Sequence, residues 1–150
     1  MKTVDYSKKS LKLPKKESLK KQCDNLWIEC VKARANYSSE LSGVPGKKIG
    51  GSAIITSHHI VGKSNYRLRY ELENGICLEN GKEHIFGVHH KFNPSVSKEY
   101  QDKIIKKITQ KKYDWLLTLR GDKSKIDLHL IKIYLTQQLE IFKKSTNKRI

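Results

Sequence analysis

Apolar side chains at Leu19, Cys23, Leu26, Trp27, Cys30 and Val31 fall at i, i+4, i+7, i+8, i+11 and i+12. They form one stripe of a helix that begins near Ser18 and ends near Asn36. The pattern then gives way to YSSELSGVPGKKIGG, residues 37–51, where Pro45, Gly46, Gly50 and Gly51 predict a loop. SAIITS, residues 52–57, is short, β-branched and preceded by a Gly pair, and predicts a strand with His58 and His59 at its end. Residues 60–73 predict an irregular connection carrying Lys63, Arg67 and Arg69. Asn74-Gly75 signals a turn, and Ile76, Cys77 and Leu78 a short returning strand.

ENGKEHIFGVHH, residues 79–90, predicts a short helix around Lys82 that Gly87 weakens, with Pro94 and Ser95 closing that unit. Ser97 is the expected N-cap of SKEYQDKIIKKITQKK, whose face is Tyr100, Ile104, Ile105 and Ile108. YDWLLTL, residues 113–119, is apolar and short, and Arg120-Gly121-Asp122 breaks it. A last helix is predicted from about Ile126 to Lys143, burying Leu128, Ile131, Leu135, Leu139 and Phe142. Trp27 and Trp115 are expected in the core, and His129 as structural or exposed. No internal repeat is visible. These elements predict an α+β fold: a short two-stranded hairpin flanked by an N-terminal helix and C-terminal helices. The expected organisation is a basic arm over 1–16, one domain over 17–122, and a helix with a basic tail over 123–150 packed on that domain.

Charge sharpens the picture. The chain has 150 residues and a net charge of +16, from 31 Lys+Arg against 15 Asp+Glu. That surplus favours a polyanionic partner, because each neutralised phosphate releases condensed counterions. No run of 18 apolar residues exists, which argues against a membrane span, and the basic N-terminus lacks the apolar centre of a secretory signal. The three cysteines, Cys23, Cys30 and Cys77, form no CxxC pair and predict reduced, buried thiols in a cytosolic setting.

Five of the six histidines, His58, His59, His84, His89 and His90, lie within a short stretch of chain. Adjacent histidines leaving a strand point in different directions, so one can turn towards a metal while the other acts as a base. Phosphodiester hydrolysis asks for that combination. It needs a base that titrates near neutral pH, a cation at the phosphate, and Arg or Lys to hold the phosphate in line.

The stretch HHIVGKSNYRLRYELENGICLENGKEH, residues 58–84, resembles the HNH endonuclease family of ββα-metal nucleases, in particular its small phage-type members. His59, Asn74 and His84 supply the H–N–H order. The resemblance extends to LWIECVKARANYSSELSG upstream and HHKFNPSVSKEY downstream. It implies a DNA endonuclease in which His59 is the general base and Asn74 orients it by bridging the loop between the strands. His58 and His84 become metal ligands, with His89 completing the set and His90 left as the alternative. Lys63, Arg67 and Arg69 are the implied phosphate contacts.

The implied cofactor is one divalent ion. An all-imidazole set suits zinc, nickel, manganese or cobalt, with magnesium admitted if water fills the remaining positions. Products with 5′-phosphate and 3′-hydroxyl ends follow from the same resemblance. So does location in the cytoplasm of a bacterial or phage-infected cell. A symmetric double-strand cut requires a homodimer, and a partner protein directing cleavage is the other arrangement left open.

The chain departs from relatives that carry two CxxC pairs around a structural zinc. Those positions fall at Ser39 and Ser42, and near Glu79 and Lys82-Glu83, so no structural zinc is expected. The Asn74-to-His84 spacing is one residue longer than usual. The competing readings are a non-catalytic nucleic-acid-binding protein that keeps an HNH-like fold, and a structural metal module of an assembly.

Overall fold

The computed structural model describes residues 15–46 and 54–148. The basic arm, apart from its last two residues, lies outside that range, as do Gly50 and Gly51, the first two residues of the expected strand and the last two of the basic tail. Helix α1 (Leu19–Arg34) is capped by Ser18, whose side chain accepts from the Lys21 amide. It ends as Asn36 and Tyr37 take left-handed φ values of 52° and 53°. Its apolar stripe buries against helix α5 (Leu128–Asn147), where Cys23, Trp27, Cys30 and Val31 meet Leu135 and the flanks of Leu128, Ile131, Leu139 and Phe142. The thiols act as small hydrophobes with a weak donor. Cys23 Sγ donates to the Leu128 carbonyl (3.4 Å) and Cys30 Sγ to that of Leu135 (3.2 Å). Asp127 caps α5, which continues to Asn147, so part of the expected tail is helical.

Strands β1 (Ile55–His59) and β2 (Gly75–Glu79) form an antiparallel pair in which His58 faces Ile76 and His59 faces Gly75. The first strand therefore lies later than the predicted 52–57, and both histidines belong to its ladder. Alternation sorts the side chains. Ile55, Ser57, His59, Gly75 and Cys77 lie towards α1, with Ser57 Oγ donating to the Ile28 carbonyl (2.8 Å). Ile76 and Leu78 pack the other way, against Val88 and Ile104. The hairpin is thus covered on both faces, which explains why β2 is buried almost throughout.

Gly75 is where α1 comes closest. A Cβ there would collide with Val31 Cγ2 and stand 2.8 Å from Trp27 Cζ2. Gly75→Ala should therefore push α1 off the hairpin and cost about 1–3 kcal/mol. Urea denaturation reads this directly, and an unchanged midpoint would mean that the helix is not seated this tightly.

The connection between the strands is more ordered than predicted. Asn65 caps a short helix α2 (Tyr66–Tyr70) by accepting from the Leu68 amide (2.8 Å), and a 3₁₀ turn (Leu72–Asn74) leads into β2. Past β2, residues Asn80–Val88 wind as a π-helix. Helix α3 (Pro94–Ile108) starts at its proline with Asn93 as cap, not at Ser97. Ser97 instead donates its hydroxyl to the Val88 carbonyl (2.6 Å), tying α3 to the π-helix.

Thr109, at φ 85°, breaks the predicted continuous helix and caps α4 (Gln110–Thr118). Helix α4 packs Leu116 on Val61 and Leu68. Trp115 is 40% exposed on α4, a correction to its expected core position, because Leu116 takes the inward place. His129 is exposed on α5. The observed class is α+β, and among the described residues no helix is long and apolar enough to cross a membrane.

Candidate functional site

Strand alternation sends His58 to the side of the π-helix. There one ring nitrogen from each of His58, His84 and His89 lies within 4.8 Å of the other two. The ring centroids are 5.4 Å apart for His58–His84, 5.1 Å for His58–His89 and 4.7 Å for His84–His89. The winding of residues 80–88 makes the last pair possible. His89 donates its amide to the His84 carbonyl (2.9 Å), an i→i+5 bond that brings residues five apart about one turn above each other. In an α-helix they would diverge by about 140° round the axis.

His90 is held elsewhere. Its Nδ1 accepts the amides of Phe92 (3.2 Å) and Asn93 (3.0 Å), so the structure brings His89, not His90, to the cluster. The cluster has an unmet need: Nδ1 of His84 is buried without a hydrogen-bond partner among the described residues. Three convergent imidazoles with one orphaned nitrogen are a donor set that fits a divalent transition ion.

His59, next in sequence, faces the opposite way. Its ring stacks on Trp27 with centroids 3.8 Å apart and planes 3° from parallel. Its Nε2 lies 3.0 Å from the Arg69 carbonyl, which can only accept. Nε2 therefore carries the proton, and Nδ1 keeps its lone pair. Asn74 holds this acceptor in place from one residue away. Fully buried, it accepts the Val61 amide on Oδ1 (2.8 Å) and donates Nδ2 to the carbonyls of Val61 (2.7 Å) and Leu68 (2.9 Å). One amide side chain thus pins both ends of the loop between the strands.

Burial drives the electrostatics. His58 is pushed down to about 3, first by burial and then by the neighbouring His84, His89 and His59. His84 is lowered by burial and by His89. His59 is lowered chiefly by burial. The Arg69 carbonyl and Asp24 oppose that shift, while the charges of Lys63 and Arg69 add to it. All three rings are neutral near pH 7, the form in which an imidazole binds a metal or takes a proton.

The same shifts set a stability slope. A ring lowered in the folded chain binds its proton more readily when unfolded, near pH 6.5, so unfolding takes up protons below that value. The contribution is whole above pH 6.5 and is lost as the pH falls towards 3. Chelated protein should lose about 2–5 kcal/mol between pH 7 and about 4, with His58→Gln giving a shallower slope. Urea midpoints in EDTA measure it; identical slopes for the two proteins would show that His58 is not the group responsible.

The three cations singled out in the sequence have different fates. Arg69 is engaged: its Nε and Nη2 each stand 2.7 Å from a carboxylate oxygen of Asp24 on α1, and its contribution to the site is the backbone carbonyl. Arg67 lies 4.0 Å from Glu71 on the exposed side of α2. Lys63 is exposed, and its charge is felt at His59. Sequence reading missed Arg120, which lines the same cavity as His58, His59 and His89; only its basic character, just past α4, could have flagged it.

Oxygen side chains link the turn at Ser39 to the start of the π-helix. Ser39 Oγ accepts the amides of Leu41 and Ser42 (3.1 Å each) and donates to Glu83 (2.6 Å). Glu79 accepts the amides of Gly81 (2.8 Å) and Lys82 (2.6 Å). Glu83 also accepts the Glu79 amide (2.7 Å), so a buried carboxylate ties the two turns together.

The chain matches no protein-family model, no curated protein and no solved structure.

Proposed function

We propose that this chain is a metal-dependent endonuclease of the HNH type that hydrolyses phosphodiester bonds in DNA. The observation that carries the reading is the division of labour between two adjacent residues. His58 joins His84 and His89 in a three-nitrogen cluster, while His59 stands apart with one nitrogen anchored and the other open. A purely structural metal module has no use for the second imidazole. A binding protein has no use for a base held by stacking, a carbonyl and a buried asparagine together.

In this reading His58, His84 and His89 would hold a divalent cation, which would supply positive charge at the scissile phosphate. His59 does the proton chemistry. Its Nδ1 takes a proton from the attacking water while Nε2–H stays on the Arg69 carbonyl, which stabilises the imidazolium as it forms. Trp27 keeps the ring from turning. Lys63 and Arg67 remain as contacts for the DNA backbone, fixing position without reading sequence.

The test is plasmid nicking by purified protein after chelation, with zinc, nickel, manganese, cobalt or magnesium added back singly. Cleavage should vanish in EDTA and return with at least one ion. His84→Ala should bind metal at least about tenfold more weakly by calorimetry and nick correspondingly less. DNA binding without nicking in any ion would overturn the endonuclease reading in favour of a binding protein. Loss of folding on chelation, with no nicking in any ion, would favour the structural module.

A further inference from the structure

A cavity of about 300 Å³ opens beside the histidines, between the loop that follows β1 and helices α3 and α4. Val88, Ile104, Ile105 and Tyr113 line it on one side, and Gln101 and Arg120 add polar groups. It shares His58, His59 and His89 with the site described above, and among the described residues no carboxylate lines it. Apart from the ion the histidines would hold, the rest of the cavity therefore favours a neutral or anionic occupant over an organic cation.

Arg120 is fixed to the site by its backbone. It sits on the 3₁₀ turn Leu119–Gly121, and Asn65 Nδ2 donates to the carbonyls of Leu119 (2.9 Å) and Arg120 (3.1 Å). The same Asn65 caps α2 through its oxygen, so one side chain joins the loop leaving His59 to the turn that carries Arg120. Arg120 is exposed and forms no ion pair among the described residues.

A stacked duplex has nothing to place in a concavity walled by isoleucines, since its bases are turned inwards and its surface is phosphate and sugar. An unstacked nucleoside fits each part. The base offers a flat apolar face to the isoleucines and the tyrosine ring, and a polar edge to an amide such as Gln101; its phosphate suits a guanidinium.

We propose that this cavity receives one unstacked nucleoside flanking the phosphodiester on which His59 acts, with Arg120 on the adjoining phosphate. The preferred substrate is then DNA with an unpaired nucleotide at the cut. The inference rests on the endonuclease reading, which it narrows to a substrate class.

The test compares two end-labelled oligonucleotide duplexes of one sequence, fully paired or carrying a single-nucleotide bulge. Binding is measured in EDTA and cleavage in the ion that supports it. Wild type should favour the bulged duplex at least about tenfold in both. Ile105→Trp fills the half-buried wall and should remove that preference while leaving the paired duplex bound as before. Gln101→Ala, a change at an exposed position that leaves the fold alone, should reduce it.

Equal binding and cutting of the two duplexes by wild type would overturn the proposal and leave the endonuclease standing. A bulge preference that survives both substitutions would also overturn it. A bulge preference in binding, lost in Ile105→Trp, without cleavage in any ion would support the cavity assignment and sink the endonuclease reading.

Discussion

His59→Ala should lower metal-dependent nicking by about 10²–10⁴-fold while leaving metal uptake and DNA affinity near those of wild type. The ring lies outside the three-imidazole cluster, stacks on Trp27 and sets Nε2 against the Arg69 carbonyl. On the proposed reading, its removal would delete the proton acceptor without deleting a ligand. Part of the stacking on Trp27 is lost, at about 0.5–1.5 kcal/mol, which a folded domain tolerates. The diagnostic result is the split between activity and metal binding, read by single-turnover nicking beside calorimetric titration of the cation. If the variant nicks as fast as wild type, another group takes the proton and the assignment of His59 is lost. If it loses metal as well, His59 is a ligand.

Asn74→Ala carries the largest stability effect. The substitution strands the Val61 amide, the Val61 carbonyl and the Leu68 carbonyl inside the protein, where each unmet group costs about 1–3 kcal/mol. A total loss of about 3 kcal/mol or more is expected by denaturant titration, a large share of a small domain's stability. Activity should fall further than folding alone explains, because Leu68 precedes the residue whose carbonyl orients His59. Asn74→Asp should be no milder. It keeps the acceptor for Val61 but turns a carboxylate oxygen towards two carbonyls that need donors. A variant of either kind with wild-type stability would show that the loop is held by other means.

The parts of the molecule that local pattern controls were legible in the sequence. The apolar stripe of α1 and its burial of Cys23, Trp27 and Cys30 follow from spacing alone. The meeting of His58 with His84 and His89 comes from the family resemblance, not from spacing. The rest depends on partners far away in sequence. Arg69 reads as a free cation until Asp24, on another helix, is seen to claim it. Asn65 reads as a polar loop residue, yet it closes α2 and the Arg120 turn at once. Trp115 reads as core because it is large and apolar, but its neighbour Leu116 fills the inward position. Propensity describes what a residue can do locally; which neighbour arrives first is settled by packing.

The π-winding of Asn80–Val88 has a consequence for how the histidine cluster can fail. Ligand spacing and helix type are matched partners: five residues between donors demand the wide coil, and four would demand the ordinary one. A cation gripped by both His84 and His89 therefore shares its binding equilibrium with the choice between two coils. Whatever favours tighter winding, such as a helix-inducing cosolvent, would compete with the ion although it touches no donor atom. Shortening the segment by one residue would relieve that competition, so that here a deletion can be gentler than a substitution.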